Sequence, residues 1–571
     1  MYGIDLGTTN SVISIIDSDG KPKVIENKNG GRITPSAVFT KDNKEFIIGE
    51  NAKKKYGMNP IHTILSIKRL MGTNEKIKID DVEYSPEEIS AKILRKMVDD
   101  ANEKLGINCN QVVITVPAYF DDSQRSATKK AGEIAGLEVL RIINEPTAAA
   151  LAYGLDQREP RTICVYDLGG GTFDVSILTI GENICEVNST AGNTRLGGDD
   201  FDELLSKWII DMFEREYKTS ISDNPIAISR IKEAAENAKK QLSEAIDVDI
   251  TIPFITQNDN GPVNLELNIK RAEFEEMISE KVQETIECVK NAIEDSKIHK
   301  DEIAEILLVG GSTRIPFVQK SIEDFFGKTP NRNLNPDEVV SIGAAIQSGI
   351  INGTIENVIL ADVTPLTLSV EVEGGLSEPM IKRNTTIPTT HTETFTTYED
   401  EQTSVIVHIT QGERVEASKN RSLGKFILDD IVPAPAGTPK IQVKFDIDVN
   451  GILSVSAKDT VTEKEASITI DNNINSEDLN KLLEDGKKYK DEDFNIRQLI
   501  EKRNIANKLI YQCEKTIEEY KDKIDGNTLL EFQEAIESTR DNLDVQNPEV
   551  INESIKALKQ LILQIGEQIY S

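Results

Sequence analysis

The feature that most constrains the fold is a short unit that occurs twice in the chain. Residues 165–178 read VYDLGGGTFDVSIL, and residues 2–16 read YGIDLGTTNSVISII. In both, an apolar strand-like run meets an Asp and a Gly-containing turn with Thr, and a second strand-like run follows. A repeated strand–turn–strand unit indicates an internal duplication, so the sequence predicts two similar halves around it.

The residue types in both turns suit the binding of nucleotide phosphates. Glycines let backbone N–H groups approach an anion closely, and successive N–H groups form an anion-binding nest. Thr8, Thr9 and Thr172 add hydroxyl donors. Asp5 and Asp167 can hold a hydrated Mg²⁺ that bridges phosphates. One Gly-rich turn alone is better interpreted as an ordinary flexible turn, but two matching turns predict a clamp on the β- and γ-phosphates of one nucleotide.

Other patterns refine this prediction. The chain has no GxxxxGK[ST] segment and no protein-kinase HRD or DFG set, which excludes a Walker-type P-loop enzyme and a protein kinase. A third Gly-rich turn, LLVGGSTRIP at 307–316, follows an apolar strand and could cover the far end of the nucleotide. On the helical segment 230–245 four polar residues share one face: Glu236, Lys239, Lys240 and Ser243. Spacing alone predicts that this face is a solvated charged stripe.

The composition narrows the class of protein. With 571 residues the chain is too long for one domain, and a length-based prior gives about three to five. The 65 Lys and Arg against 97 Asp and Glu leave a net charge of −32, which argues against nucleic acid as a partner because phosphate binding needs a basic face. Five scattered Cys and four scattered His indicate neither a disulfide framework nor a zinc site, and they favour a reducing compartment.

The sequence contains no signal-peptide pattern and no run of about 18 apolar residues. We therefore expect a cytoplasmic protein that does not use a membrane as partner.

The composition and the residue pattern of the chain change at three places. Residues 1–356 alternate strands and helices, which is typical of an α/β domain. NVILAD at 357–362 is a candidate linker. Residues 363–474 contain short alternating runs between Gly, Pro, Asn and Asp, which predict an antiparallel β-sandwich. Residues 475–571 are charged and nearly Pro-free, and predict amphipathic helices.

Nine motifs in this order resemble the 70-kDa heat-shock chaperone family, and in particular its bacterial DnaK branch. They are GIDLGTTNS, VITVPAYFDDSQR, RIINEPTAAALAYGLD, VYDLGGGTFDVSIL, VGGSTRIP, NPDEVVSIGAAIQ, VTPLTL, NTTIPT and FDIDVNGILSVSAKD. The resemblance implies a multidomain protein: a duplicated, two-lobed, actin-like α/β ATPase domain, a linker, an antiparallel β-sandwich that binds peptides, and a C-terminal α-helical lid. These coincide with the four segments above.

The resemblance also implies catalytic roles for six residues: Asp5, Lys68, Glu145, Asp167, Thr172 and Asp174. Asp5 and Asp167 would orient a hydrated Mg²⁺. Lys68, in SIKRLMG, would reach the γ-phosphate, where its ammonium can stabilise developing charge. Glu145 would act near the attacking water, and Thr172 and Asp174 would complete this network.

Contacts to ATP or ADP are implied for eighteen positions, with Mg²⁺ as the cofactor and K⁺ as a second candidate cation. They are Gly7, Thr8, Thr9, Asn10, Gly169, Gly170, Gly171, Gly197, Gly198, Glu236, Lys239, Lys240, Ser243, Gly310, Gly311, Ser312, Arg314 and Asp337. The resemblance therefore implies that residues 236–243 form an adenosine-binding face and not a solvated stripe.

In the sandwich, the resemblance implies a pocket for one apolar peptide side chain, at positions that pattern alone makes core residues: Val370, Phe395, Val405, Val407 and Ile452. Glu373 and Tyr398 would arch over the peptide, where the bacterial branch usually has Met and Ala. An acid at this place would favour peptides with nearby Lys or Arg.

Coupling between the domains is implied for a further set of residues: Pro117, Arg125, Arg141, Asn144, Val358, Ile359, Leu360 and Asp362. Pro117 and Arg125 match a proline switch and its arginine relay. Arg141, Asn144 and Asp362 match positions that meet a J-domain partner. Ala361 stands where Leu is typical, so we expect the linker to dock more weakly.

The function that the resemblance implies is that of an ATP-dependent chaperone for unfolded or extended polypeptides. Its expected partners are a J-domain co-chaperone and a GrpE-type nucleotide exchange factor, and its expected context is the stress response. Two alternatives stay open. One is a specialised paralogue with a dedicated client, and the other is a small-molecule kinase or filament protein on the same ATPase fold. The second alternative does not explain why a sandwich and helices follow the ATPase domain.

Overall fold

The computed structural model of the chain describes residues 1–154, 159–181, 184–218, 220–258, 261–355, 358–469 and 479–570. The boundaries predicted at 356–357 and at 474–475 lie outside the described residues. Within the described part, the chain forms an α/β body, two four-stranded sheets and a set of C-terminal helices. No helix in this part has the length and apolarity that a membrane crossing needs.

The first half of the α/β body, which we call lobe I, contains β1 (Tyr2–Asp5), β2 (Asn10–Ile16), β3 (Pro22–Val24), β4 (Thr34–Pro35), β5 (Val38–Thr40), β6 (Phe46–Ile48), α1 (Glu50–Lys53), β7 (Thr63–Ile64), β8 (Ile77–Ile79), β9 (Val82–Tyr84), α2 (Pro86–Leu105), β10 (Gln111–Val116), α3 (Asp122–Ile134), β11 (Glu138–Asn144) and α4 (Glu145–Gly154). Its main sheet has the order β11-β10-β1-β2-β3, with β4 beside β2. The first hairpin pairs β1 with β2 in antiparallel fashion, and β10 runs parallel to β1.

The second half, lobe II, contains β12 (Arg161–Leu168), β13 (Phe173–Gly181), β14 (Ile184–Asn193), α5 (Gly198–Tyr217), α6 (Pro225–Leu242), β15 (Asp247–Asn258), β16 (Gly261–Lys270), α7 (Arg271–Ser296), β17 (Ile303–Val309), α8 (Pro316–Phe326) and α9 (Val339–Ile351). Its sheet repeats the arrangement of lobe I, because β12 pairs antiparallel with β13 and parallel with β17. The repeated hairpin of the sequence therefore occupies equivalent places in the two lobes.

Two helices lie between the lobes and pack unusually close. Gly343 of α9 faces Ala148 of α4, and a Cβ built on Gly343 would lie 1.8 Å from the Ala148 carbonyl oxygen. Gly3 of β1 lies equally close to α9, because a Cβ built on Gly3 would lie 2.0 Å from the backbone nitrogen of Ala345. Glycine is required at both positions because any side chain would push the lobes apart.

A short strand joins the α/β body to the sandwich. This strand, β18 (Ile359–Val363), runs parallel to β14 through the pairs Ile184 with Ile359 and Glu186 with Ala361. Residues 359–362 of the candidate linker therefore form a strand at the edge of lobe II. Ala361 takes part through its backbone, so the Leu that is missing there does not prevent the pairing.

The remaining strands form the sandwich: β19 (Leu368–Val372), β20 (Leu376–Ile381), β21 (Thr386–Ile387), β22 (Thr389–Phe395), β23 (Val405–Gln411), β24 (Arg421–Leu428), β25 (Ile441–Ile447), β26 (Leu453–Asp459) and β27 (Glu465–Thr469). The two sheets have the orders β20-β19-β23-β24 and β22-β25-β26-β27, while β21 pairs with β18. Alternate residues of β25 are buried in the shared core, as the alternating sequence predicts.

The chain continues in α10 (Leu479–Lys488), α11 (Lys490–Tyr520), α12 (Gly526–Asn542) and α13 (Pro548–Tyr570). The last three bury a core of their own that includes Cys513, Phe532 and Leu558. α11 also extends across the sandwich, where it contacts the loops that follow β19 and β22.

Candidate functional site

A cleft of about 610 Å³ lies between the lobes, where the turns of the two hairpins face each other. A cleft of this size accommodates a nucleotide. It is lined by twenty of the residues that the sequence singled out: Asp5, Gly7, Thr8, Thr9, Asn10, Lys68, Glu145, Asp167, Gly169, Gly170, Thr172, Glu236, Lys239, Lys240, Ser243, Gly310, Gly311, Ser312, Arg314 and Asp337.

Four other predicted residues support the wall of the cleft from behind. Asp174 accepts a hydrogen bond from the backbone N–H of Tyr119 at 2.9 Å. Gly171 packs against Thr8, and a Cβ on Gly197 would lie 2.5 Å from the backbone of Gly170. Gly198 accepts a hydrogen bond from Lys239 at 2.9 Å. These four residues keep the turns close together rather than facing the cleft.

The carboxylates at the centre of the cleft are buried, or partly buried in the case of Asp5, and close enough to influence one another. Burial raises the pKa of Asp5 and of Asp167, and the negative charge of Glu145 raises both further. Burial and Glu145 likewise raise the pKa of Asp174 to about 7. A site that disfavours its own negative charge in this way gains stability when a cation enters.

Lys68 supplies the positive charge nearest to these carboxylates. It lies in the 3₁₀ turn Ile67–Leu70, and its Nζ donates to Glu145 Oε1 at 2.5 Å. Only 4% of the Lys68 side chain and 9% of the Glu145 side chain are exposed. Since Glu145 is the first residue of α4, the helix fixes its position, and Glu145 in turn fixes the ammonium group.

A second polar network, which the sequence did not predict, closes the cleft beside the phosphate turns. Ser66 donates to Asp199 at 2.6 Å, and Arg69 contacts Asp200 at 2.6 Å. Thr9 also donates to Asp199, so both lobes meet here. The sequence did contain a signal for this network, because its charged residues are neighbours of predicted site residues. Arg69 follows Lys68, and the two Asp residues follow the Gly pair of LGGDD.

The far end of the cleft is bridged by an ion pair between the lobes. Lys53 of α1 contacts Glu236 of α6 at 2.7 Å, and Lys240 contacts the same oxygen at 2.6 Å. Burial opposes the ionisation of Glu236, but the two ammonium groups outweigh it and lower the pKa of this carboxyl to about 2. The face at 236–243 therefore lines the cleft, and the charged-stripe interpretation that spacing favoured is wrong.

We expect Lys53→Ala to accelerate the release of bound ADP about three- to tenfold, because the partly buried pair with Glu236 ties the lobes together. Release can be measured by stopped-flow with a fluorescent ADP analogue. Lys54→Ala is the matched control, since the neighbouring Lys54 is mostly exposed and pairs with Glu50 on its own helix. Equal rates in the two variants would contradict the bridging role.

The third Gly-rich turn also reaches the cleft. Ser312 donates to the carbonyl oxygen of Gly169 at 2.9 Å, which joins this turn to the second hairpin. Arg314 contacts Asp337 at 2.7 Å at the outer rim. A guanidinium held flat in this way can stack on a base.

The residues present fit a hydrated Mg²⁺ that is bound together with phosphates. Within the described residues, no group of three or more His, Cys, Asp or Glu side chains is placed to hold a metal alone. Asp167 offers a buried carboxylate and Asp5 a partly buried one, next to Gly170, where a Cβ would lie 1.9 Å from the hydroxyl oxygen of Thr9. Mg²⁺ prefers a site with few carboxylates, in which water and phosphate oxygens occupy the remaining coordination positions.

Directly behind the cleft, buried polar residues lie between the start of α4 and the linker strand. Arg125 donates to Asn144 at 2.6 Å and to the carbonyl oxygen of Ala118 at 3.2 Å. Thr147 of α4 donates to Asp362 of β18 at 3.3 Å. Because Glu145 and Thr147 both lie in the first turn of α4, a shift of this turn reaches Asp362 through Thr147.

The structure places the other predicted coupling residues around these residues. Pro117 is buried at the end of β10, one residue before Ala118. Val358 and Leu360 pack on the core between the lobes, whereas Ile359 is exposed. Arg141 is half-buried in β11, and burial lowers the pKa of its guanidinium.

In the sandwich, four of the five predicted pocket residues meet at one end of the core. Val370 and Val407 belong to the buried core, and Phe395 and Val405 pack against it. Ile452 does not: it lies at the opposite end, in the turn between β25 and β26, and its N–H donates to Asp448. The prediction for Ile452 is therefore wrong, and Ile441, which pairs with Phe395 across β22 and β25, takes this place.

The model of the Hsp70 protein family matches residues 1–80 and 74–571 of the sequence. The chain belongs to the Hsp70 family. Members of this family bind ATP and ADP with Mg²⁺, hydrolyse ATP and act as chaperones, and in general they bind unfolded polypeptides, J-domain proteins and nucleotide exchange factors. The family also implies the two-lobed ATPase, the sandwich and the helical lid, with which the described α/β, β and helical parts agree.

For a member of the Hsp70 family, the residues at the rim of the sandwich are of special interest. Glu373 is exposed in the turn after β19, and Tyr398 is 61% exposed in the loop after β22. Asn504 of α11 donates to the carbonyl oxygen of Glu373 at 3.1 Å. Tyr511 of α11 donates to Asp400, two residues beyond Tyr398. The helix thus holds the backbone of one loop and a carboxylate of the other, and leaves the side chain of Glu373 exposed.

Proposed function

We propose that this Hsp70 is a DnaK-type chaperone that binds and releases extended apolar segments of unfolded proteins in step with ATP hydrolysis and nucleotide exchange. The observation that carries the proposal is the start of α4, where Glu145 pairs with Lys68 in the cleft and Thr147 donates to Asp362 of β18. It connects the residue beside the candidate phosphate site to the strand that leads into the sandwich.

In the proposed ATPase, water attacks the γ-phosphoryl group and ADP leaves. The ammonium of Lys68 stabilises the charge that develops on the phosphoryl oxygens, and Glu145 orients this ammonium and the attacking water. Backbone N–H groups of the two Gly-containing turns, with the hydroxyl groups of Thr8 and Thr172, hold the phosphates. Asp5 and Asp167 would hold a hydrated Mg²⁺, which would supply positive charge beside the phosphates.

The proposed coupling is a population shift that is biased by the γ-phosphate. ATP favours docking of linker and sandwich on the ATPase domain, with rapid peptide exchange, and hydrolysis favours release of the sandwich and closure of the lid. Arg125, Asn144 and Asp362 carry the signal. A J-domain protein meeting Arg141, Asn144 and Asp362 would accelerate hydrolysis, and a GrpE-type factor would accelerate ADP release.

The proposed setting is the cytoplasm, as part of the stress response. The net charge of −32 supports neither nucleic acid nor an anionic membrane surface as partner. A specialised role for one client remains the second candidate, because Glu373 and Tyr398 replace the residues usual in the bacterial branch. A small-molecule kinase does not need the sandwich and the helices that follow the ATPase domain.

The deciding experiment is single-turnover ATP hydrolysis with and without a Leu-rich heptapeptide, together with binding of that peptide in ATP and in ADP. We expect the peptide to stimulate hydrolysis and to dissociate faster in ATP. Binding of the peptide that is weak in both nucleotides would favour a dedicated client. A complete absence of peptide binding and stimulation would contradict the proposed function.

We expect Glu373→Met to weaken the binding of an Arg-flanked apolar peptide about two- to fivefold, because an exposed carboxylate contributes on the order of 0.5–1 kcal/mol to a nearby cation. Binding of the same peptide with Ser in place of the flanking Arg is expected to stay the same or to strengthen. Fluorescence anisotropy at low and at high salt measures both. An equal effect on the two peptides would show that Glu373 does not select for charge.

A further inference from the structure

A second cavity of about 560 Å³ lies between the lobes, next to the nucleotide cleft. Thr9, Asp199, Asp202 and Glu236 line both spaces, so these four side chains form the partition between them. The nucleotide does not need the second space, because the cleft has about 610 Å³ of its own. A cavity of this volume suits a small organic molecule.

The wall that lobe I contributes to the second cavity is mostly apolar. It is formed by residues that follow α1 in the chain: Tyr56, Pro60, Ile61, Ile64 and Leu65. Burial raises the pKa of Tyr56, so its phenol stays neutral. The side chain of Ile61 is 67% exposed, which leaves apolar surface that a ligand can cover. This wall therefore suits the apolar body of a ligand.

The wall that lobe II contributes is acidic. α5 places Asp199, Asp202 and Glu203 along one face, and α6 places Glu233 and Glu236 one turn apart.

The cations at the cavity do not neutralise this acidic wall. Lys53 pairs with Glu236, and Arg69 pairs with Asp200. Among the described residues, neither Glu203 nor Glu233 forms an ion pair, and the neighbouring Lys232 forms none either. Two unpaired carboxylates beside one unpaired ammonium group leave the wall with negative charge.

One carboxylate oxygen of the acidic wall has no hydrogen-bond donor. Asp202 Oδ2 accepts a hydrogen bond from Lys239 Nζ at 2.7 Å. Its Oδ1 atom is buried and, within the part of the chain that the structure describes, accepts no hydrogen bond. Burial raises the pKa of Asp202 to about 6, against the effect of the Lys239 ammonium. Because a buried acceptor without a donor is unfavourable, a cationic N–H group beside Asp202 would be stabilised.

The two walls belong to different lobes, which meet at the edges of the cavity. Lys53 contacts Glu236 at 2.7 Å. The carboxylate of Glu233 lies against Gly57 of lobe I, where a Cβ would be 2.8 Å from Glu233 Oε2. A ligand between the walls therefore contacts both lobes at once.

We propose that the second cavity binds a small organic cation with an apolar body. Its ammonium or amidinium group lies beside Asp202, Glu203 and Glu233, and its body packs on Tyr56 and Ile61. Because the bound cation contacts both lobes, it favours the closed cleft and slows the release of ADP. Binding of the cation needs no nucleotide, whereas its effect on ADP release rests on the nucleotide site of the proposed function.

The test compares three naphthalene derivatives of similar shape on the whole chain in the presence of ADP and Mg²⁺. They are the cationic 1-naphthylmethylamine, the neutral 1-naphthalenemethanol and the anionic 1-naphthoate, and ligand-observed nuclear magnetic resonance measures their affinities. We expect the amine to bind with a Kd of about 0.1–1 mM, as its few atoms allow. The alcohol should bind at least about fivefold more weakly, and the naphthoate should not bind. Equal binding of amine and alcohol would overturn the inference.

Variants that leave the nucleotide cleft untouched locate the charged part of the site. Glu203→Gln combined with Glu233→Gln removes two carboxylates that line only the second cavity. We expect the amine to bind this double variant at least about fivefold more weakly, with no change for the alcohol. Asp211→Asn combined with Glu216→Gln is the matched control, because both residues are exposed on α5 and line neither cavity. Equal affinity of the amine for the two double variants would contradict the proposed site.

The apolar wall is tested with Ile61→Ser, which should weaken the binding of amine and alcohol alike by about threefold. Met58→Ser is its control, since Met58 belongs to the same segment, is 75% exposed and does not line the cavity. Equal binding to these two variants would place the ligand elsewhere and overturn the inference.

The effect on the lobes is measured by stopped-flow release of a fluorescent ADP analogue. We expect saturating 1-naphthylmethylamine to slow this release about two- to fivefold. Since coupling between two binding sites is reciprocal, ADP should in turn strengthen the binding of the amine. Weaker binding of the amine in the presence of ADP would show that it enters the nucleotide cleft, and would overturn the inference. Normal binding of ADP without any binding of the amine would overturn the inference and leave the proposed function intact.

Discussion

Replacing Lys68 with Ala is expected to lower the single-turnover rate of ATP hydrolysis by about 10²–10³-fold, the range found when one preorganised electrostatic group is removed from a transition state. The ammonium is buried, bonded to Glu145 and held by a helix start, so water cannot replace it without loss of geometry. The variant also leaves the carboxylate of Glu145 without its cation among Asp5, Asp167 and Asp174. The phosphate cradle is unchanged, so ATP should bind within about fivefold of the parent affinity.

The measurement is quenched-flow hydrolysis of radiolabelled ATP by excess protein, with nucleotide affinity from calorimetry. Lys104→Ala is the control, because Lys104 is exposed and pairs with Glu26 on the surface of lobe I. A second variant, Glu145→Gln, keeps the size of the side chain but removes its charge. If Lys68→Ala hydrolyses ATP at a rate near that of the control, the chemistry does not depend on this ammonium.

The nucleotide cleft was predictable because its chemistry is local in sequence. Each hairpin carries its own Asp, Gly and Thr within a few residues, and those types already specify an anion turn with a hydrated cation. Duplication then requires the two turns to face each other across the lobes. The structure brings them to one cleft, at Asp5 and Gly170 as expected.

Residue spacing gave a wrong prediction where the environment of a residue is decided by a distant part of the chain. The face with Glu236 and Lys240 has the composition of a solvated stripe, and only the approach of Lys53 from lobe I makes it a cleft wall. The pocket assignment of Ile452 was carried over from the resemblance, not from spacing, and it failed because it too depended on a distant part of the chain. Ile452 and Ile441 both stand in apolar β-rich runs, and the pairing of β22 with β25 decides which of them meets Phe395. The sequence of one strand alone does not determine its pairing register with a distant strand.

The contact between the sandwich and lobe I was the least predictable part, because the members of its buried ion pair, Arg421 and Asp121, lie 300 residues apart in the chain. Arg421 begins a strand of the sandwich, and Asp121 begins a helix of lobe I, and neither stands in a pattern that marks a partner. Both side chains are almost fully buried, at 1% and 2% exposure. An ion pair buried to this degree is costly unless both members are present.

Replacing Arg421 with Ala is therefore expected to destabilise the docked arrangement by about 3–5 kcal/mol, the usual penalty for leaving one member of a buried pair uncompensated. Asp121 would remain in apolar surroundings beside Asp122, whose pKa is already raised to about 6 by burial and by the charge of Asp121. A loss of this size shifts the docking equilibrium by a factor of at least about 10². Docking can be followed by pulsed electron paramagnetic resonance, with spin labels at the exposed Glu133 and Glu463.

The matched experiment removes both charges at once. Asp121 caps α3 by accepting a hydrogen bond from Gln124 at 2.9 Å, so Asn is the replacement that keeps the cap. Arg421→Met fills much of the same volume without a charge. If the loss in Arg421→Ala comes from an uncompensated carboxylate, the double variant Asp121→Asn with Arg421→Met should recover at least about half of the docked population. If the double variant undocks as far as Arg421→Ala does, the guanidinium contributes by packing and geometry, and the pair is not the electrostatic lock of the interface.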